Sequence, residues 1–179
     1  MSEFINVSNI PGFESFTNYE MNTLGDIRNI KKDRFLLQTI NVQGYRVVRL
    51  TKEDGGAKIL PIHRGLCLLF KENPNPQNWV DHINGIKMDN ALENLRLVSP
   101  SQNNMNRKAR RNSKSGIKNI TPVTSNGYTY FLVKIVAGDK KVLKLFKRET
   151  DTDAVPLEAI EFRDKHLRLL HGQFASFRN

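Results

Sequence analysis

Apolar and polar positions alternate along several stretches of this chain, and the breaks between them mark out its parts. Gly44-Tyr45-Arg46-Val47-Val48-Arg49-Leu50 reads as a half-buried strand. Glu53-Asp54-Gly55-Gly56 then turns into Ala57 to Ile62, which predicts a hairpin. Upstream, Phe13, Phe16 and Tyr19 cluster, and Asn22 to Asn29 reads as a turn entering a strand. After His63-Arg64, the run Gly65-Leu66-Cys67-Leu68-Leu69-Phe70 predicts a short helix. Gly65 stands where an apolar residue is more usual, so its first turn is expected to be loose. Asn73 to Asn78, with two prolines, predicts a loop.

The pattern changes again at Trp79. An apolar run ends in Asp81-His82, followed by Asn84-Gly85, a dipeptide that favours a tight turn with positive φ. Asp89-Asn90 predicts a helix or turn start, and Leu95-Arg96-Leu97-Val98 a short strand ended by Ser99-Pro100. Ser101 is placed to cap a helix running SQNNMNRKARR. The layout is strand, loop, strand, helix, with polar residues at the junctions.

Beyond it, residues 105–118 hold six basic residues and no acid; the early part extends the helix and Asn112 to Gly116 reads as linker. Ile117 to Ile120 predicts a short strand, Tyr128 to Val136 a long one, and Lys141 to Phe146 a third, with turns at Ser125-Asn126-Gly127 and Ala137-Gly138-Asp139. A helix capped by Thr152 or Asp153, with Pro156 in its first turn, is expected to run to His171 and stop at Gly172. Ala159, Phe162, His166, Leu169 and Leu170 would cover the sheet. The fold class is α+β and modular, built of a β-rich N-terminal module, a central strand–strand–helix unit and a C-terminal three-stranded antiparallel sheet plus helix.

Charge sharpens this picture. The 179 residues carry a net charge of +10, which points to a polyanionic partner. That excess lies mainly after residue 104, so the central stretch is not itself the basic part. With 39% hydrophobic and 26% charged residues the chain is of folded type. Cys67 is the single cysteine, which rules out an internal disulfide and the paired cysteines of a structural zinc site. The first residues lack a secretory pattern, and no apolar run approaches the ~20 residues of a membrane span. An intracellular, cytoplasmic protein without a membrane partner is expected.

The chemistry of the central stretch suits phosphodiester cleavage. Asp81 offers a carboxylate and Asn103, 22 positions on, an amide oxygen, both suited to a hard divalent cation. His82, with an ordinary pKa near ~6.5, can take a proton from an attacking water at neutral pH. Asn94 is expected to hydrogen-bond the loop and hold His82 in place. His63 reads either as a second histidine near the scissile phosphate or as a core histidine with a satisfied hydrogen bond. Any one of these residues alone is unremarkable; the ordered set is not.

That set resembles the HNH (ββα-metal) nuclease motif, closest to the phage and intron-encoded homing endonucleases, whose motif runs DHxxGxxxDNxxxNLRxVxxxxN. Here it reads Asp81-His82, Gly85, Asp89-Asn90, Asn94-Leu95-Arg96, Val98 and Asn103. The resemblance implies Asp81 and Asn103 as metal ligands, His82 as general base, Asn94 as orienting residue, and one Mg²⁺ or Mn²⁺ per site. Many members carry His at the last position; this chain has Asn103, with Asn104 beside it. The N-terminal stretch resembles the module that often precedes this motif. The C-terminal stretch resembles the DNA-binding domain of the plant ethylene-response (Apetala) type, through Ser115-Gly116-Ile117-Lys118, Tyr130, Val133, Ile135 and Phe146. Its usual Trp is replaced by Tyr128 or Phe131, and a Gly by Lys144.

The implied organisation is an N-terminal module over 1–60, the nuclease core over 61–106, a basic linker over 107–116 and a DNA-binding domain over 117–179. The partner is double-stranded DNA. Arg107, Lys108, Arg110, Arg111 and Lys114 are expected on phosphates, and Lys118, Tyr128, Tyr130, Lys134, Lys141 and Lys144 on the sheet that would enter the major groove. A monomer would nick; a dimer would cut both strands. A catalytically silent DNA-binding regulator and an RNA-binding module are the rival readings.

Overall fold

A computed structural model describes residues 3–72, 74–75, 77–148, 152 and 154–177. Asn73 and Pro76 of the expected loop, and the capping candidate Asp153, lie outside these. The fold is mixed α+β, with several small sheets and few helices, in two compact units, Met1–Ser99 and Pro100–Asn179. The boundary falls inside the segment 61–106 expected to act as one core.

In the first unit, β1 (Phe4–Asn6), β2 (Tyr19–Asn22), β3 (Ile27–Asn29) and β4 (Arg34–Phe35) form an antiparallel sheet in sequence order. A second sheet joins β5 (Thr39–Ile40), β6 (Arg46–Thr51) and β7 (Ala57–Pro61), with Val47 opposite Pro61 and Leu50 opposite Lys58. The helix α1 (Ile62–Phe70) follows directly, and β8 (Trp79–His82) pairs with β9 (Leu95–Val98) as a hairpin. One hydrophobic core runs through all of these, from Val7 and Phe13 through Met21, Leu50 and Leu60 to Leu66 and Leu95. It therefore joins the N-terminal strands to the hairpin. Cys67 is buried here, and burial pushes its thiol up to about 11, so it acts as a small hydrophobe.

Gly65 is not a loose point. A Cβ there would stand 2.7 Å from Cε of Met21, itself fully buried. The missing side chain is what lets methionine fill the space between α1 and β2. Asn22 fixes the β2–β3 turn, its Oδ1 accepting from the backbone N–H of Leu24 (3.0 Å) and of Asp26 (2.8 Å). The basic side chains of Arg28 and Lys31 are paired with Glu20 and Glu53.

In the second unit the helix α2 (Pro100–Asn106) starts one residue earlier than expected, at a proline suited to a first helical position, so Ser101 lies inside it rather than capping it. It also stops at Asn106, short of the basic run. The sheet is antiparallel in the order β10 (Ile120–Ser125), β11 (Tyr128–Ala137), β12 (Lys140–Lys147). The first strand begins at Ile120 rather than Ile117 because Asn119 takes a left-handed φ of 68°. The turns at Asn126-Gly127 and Gly138 use positive φ, as expected. The helix α3 (Leu157–His171) begins after Pro156 and ends at Gly172, where φ is 51°.

The buried stripe of α3 differs from the expected one. Ala159, Arg163, Leu167 and His171 face the sheet, while Leu169 is 70% exposed. Arg163 pairs with Asp164, and Nε2 of His171 lies 3.1 Å from the carbonyl of Val136. Phe131, Val133, Ile135 and Phe146 supply the helix-facing side of the sheet. Its other side carries Tyr128, Tyr130, Leu132, Lys134 and Val136 on β11, and Lys141, Leu143, Leu145 and Lys147 on β12.

Candidate active site

The hairpin positions the acid and the base on opposite faces, because neighbouring strand residues point opposite ways. Asp81 stands across from Arg96, and Nε and Nη2 of that arginine donate to its Oδ2 at 2.9 and 2.8 Å. His82 stands across from the core residue Leu95 and is 5% exposed.

The His82 ring lies in an aromatic group. Its centroid is 6.0 Å from that of Tyr45 and 5.3 Å from that of His63, which is 4.6 Å from Tyr45. Lys87 covers the other side of this group, its ammonium 4.7 Å from the Tyr45 ring centroid while donating to the Gln43 carbonyl at 2.7 Å. Nε2 of His82 lies 3.0 Å from Oδ1 of Asn90. With Oδ1 turned to the ring, the contact suits the tautomer that carries its proton on Nε2.

Asn94 fixes the loop that carries Asn90. Its Nδ2 donates to the carbonyl of Asp89 (2.8 Å) and to Oδ1 of Asn84 (3.0 Å), and its Oδ1 accepts from the Asn84 backbone N–H (3.0 Å). Gly85, with φ of 70°, makes the turn between them. Asp89 starts the following turn by accepting from the N–H of Ala91. The chain of contacts thus runs from Asn94 through the loop to Asn90 and on to His82.

His63 sits in α1 with Nδ1 buried and without a partner among the described residues. Burial first, then the neighbouring His82 and Arg64, lower its pKa to about 4, so it is neutral at ordinary pH. It contacts the His82 ring, but its hydrogen bonding is not satisfied, so neither expected picture of this residue is met in full.

Asn103, half-buried on α2, belongs to the second unit. There too, Arg107, Lys108, Arg110, Arg111 and Lys114 are exposed. Apart from Arg111, they line a cavity of about 840 Å³ together with Lys118. Lys118 is half-buried and donates to the carbonyls of Asn104 (3.0 Å) and Met105 (2.6 Å) at the end of α2. Tyr130 and Lys134 lie on the open side of the sheet; Lys144 lies on the helix side, 4.9 and 5.0 Å from the ring centroids of Phe146 and Phe162. Tyr45, Asn90 and Arg96 are site neighbours that sequence reading did not single out for a role. Arg96 was findable from register alone, since a period-two strand puts it opposite Asp81; Tyr45 carried no local signal.

A hairpin bearing Asp-His on a loop pinned by asparagine places the chain in the class of HNH-motif proteins. The family model described as HNH endonuclease matches residues 72–105, and the NUMOD4 motif matches 8–51. The chain is 32% identical over 106 residues to Protein 3.8 of Escherichia phage T7, covering 59% of this chain and 80% of that protein. It is 41% identical over 92 residues to an uncharacterized HNH endonuclease of Acanthamoeba polyphaga mimivirus, covering 50% of this chain and 23% of that protein. The chain thus spans about a quarter of the length of that mimivirus relative. A solved structure described as DNA binding and cleavage by the HNH homing endonuclease I-HmuI matches with a TM-score of 0.51 at 24% identity, over 80% of this chain and 77% of that one. The I-HmuI sequence is from Bacillus phage SP01. The chain belongs to the HNH endonuclease family.

Proposed function

We propose that this protein is a DNA endonuclease of the homing type, hydrolysing phosphodiester bonds with His82 as general base. The observation that carries this reading is the Asn90 contact, which suits the His82 tautomer in which Nδ1 would receive the proton of an attacking water. Tyr45 and His63 hold the ring laterally, and Asn94 holds the loop that presents Asn90.

Asp81 and Asn103 are the proposed ligands of one Mg²⁺ or Mn²⁺. A carboxylate and an amide are hard oxygen donors that fit such an ion. Among the described residues no group of three or more His, Cys, Asp and Glu gathers, so the pair is proposed from the motif and from its donor chemistry. When bound, the ion supplies neutralisation of charge building on the phosphate and the departing 3′ oxygen. Arg96, on Oδ2 of Asp81, sets the orientation of that carboxylate.

The basic residues 107–114 grip phosphates, and the C-terminal sheet, Apetala-like in its three strands and helix, lies against the duplex. The test is plasmid nicking with and without Mg²⁺. The intact chain should nick only with the ion, and His82→Ala should lower the rate by about 10²–10⁴-fold while DNA binding stays. Metal-independent inertness of the intact chain, with binding retained, would instead identify the silent regulator.

A further inference from the structure

On the open side of the C-terminal sheet the tyrosines and lysines lie around a centre that is apolar. Leu132 and Leu145 stand directly opposite each other, and Leu143 lies one step along β12 on the same face. Leu143 and Leu145 are 50% and 55% exposed, so a three-leucine patch faces outward. Lys134, Lys141 and Lys147 ring it on the same face. Such a patch needs a partner that covers it.

The lysine rim decides between partners. A second copy would bring like charges together, whereas a polyanion would be attracted. Three strands at ~4.8 Å spacing span about 10 Å, close to the ~12 Å width of the major groove. Inside that groove leucine can donate and accept nothing. The one base-edge feature it can recognise is the C5-methyl group of thymine.

We propose that this face reads thymine methyl groups in the major groove, with Leu132, Leu143 and Leu145 covering the methyls and the lysines gripping the flanking phosphates. The preferred substrate is then duplex DNA with several thymines clustered on one groove face. This specificity rests on the DNA-binding reading above.

Deoxyuridine differs from thymidine by that methyl alone. Affinity of the full chain for an alternating dA-dT duplex is therefore compared with that for the dA-dU duplex, by fluorescence anisotropy over a range of salt concentrations. Each covered methyl is worth roughly fourfold in affinity. Loss of the methyls should weaken binding by about tenfold or more, with the salt slope unchanged because phosphate contacts persist. The double variant Leu143→Asn, Leu145→Asn alters two exposed positions and leaves Leu132, so its preference for dA-dT over dA-dU should fall to about fourfold. Methylating cytosine at C5 in a dG-dC duplex should tighten binding by the intact chain more than by the double variant.

Equal affinity for the dT and dU duplexes overturns the proposal and leaves DNA binding standing. Discrimination that survives undiminished in the double variant also overturns it, by placing the methyl contact elsewhere. If neither duplex is bound, the DNA-binding reading fails first. Sedimentation would then ask whether the leucines bury a second copy, as a dimer lost in the double variant.

Discussion

The two units solve opposite problems. In the first, short strands and an interlocked core surround His82, and side-chain amides hold the turns: Asn22 at β2–β3, Asn41 on the N–H groups of Gln43 and Tyr45, Asn94 on the Asp89 loop. Polar bonds of this kind fix a few atoms accurately. In the second, one helix packs on one side of one sheet, and the other side exposes Leu143 and Leu145. Area is offered there, and charge. The contrast sets positioning beside display: the unit that holds His82 is nearly neutral, and the one rich in lysine and arginine displays surface.

The sharpest way to break this division is to strip charge from the second unit. Replacing Arg107, Lys108, Arg110 and Arg111 together with alanine should weaken DNA binding more than a hundredfold and lower the salt slope by about three to four, leaving the thermal stability of the chain nearly unchanged. An unaltered slope, measured by titration at several salt concentrations, would assign these side chains to solvent.

Acid should act on the first unit. Folded His63 takes up a proton near pH 4, unfolded His63 near 6.5. Between those values the unfolded chain holds the extra proton. Stability from this source is therefore complete above about pH 6.5 and declines as pH falls toward 4, by about 3 kcal/mol in all. Urea unfolding across that window reads the decline, and His63→Leu should flatten it.

Asn94→Ala leaves the buried carbonyl of Asp89 and the Asn84 loop without partners, so it should cost about 2 kcal/mol and slow nicking while binding persists. Smallest is Gly65→Ala, which places one methyl against Met21 and should destabilise by about 1 kcal/mol in the same unfolding measurement. A neutral result would show that the core of the first unit yields where its geometry says it does not.

What could be read beforehand was local. Period-two alternation found β6 and β9, a run of β-forming residues found β11, and Asn84-Gly85 foretold a turn whose glycine does adopt positive φ. Tyr45 could not be placed beside His82, because 37 residues separate them and only the shared core brings their rings together. The face of α3 was legible in part: Ala159, Phe162 and Leu170 do pack on the core, whereas Leu169 is exposed. Buried Arg163 and His171 were missed, because Asp164 and the Val136 carbonyl make their burial tolerable and neither partnership shows in periodicity. The early end of α2 was hidden by residues that are themselves good helix formers, as alanine, lysine and arginine are.

Lys118 gives the basic segment a shape that composition alone would not suggest. By holding the last carbonyls of α2 it ties the two ends of the stretch between them, so residues 107–117 form a fastened loop and not a free tether. Turn contacts from Ser113 to Arg110 and from Gly116 to Ser113 stiffen it further. A cationic arm already restrained forfeits little freedom when it meets a polyanion, so more of each phosphate contact survives as affinity. Releasing the knot, with Lys118→Ala, would turn a grip into a leash.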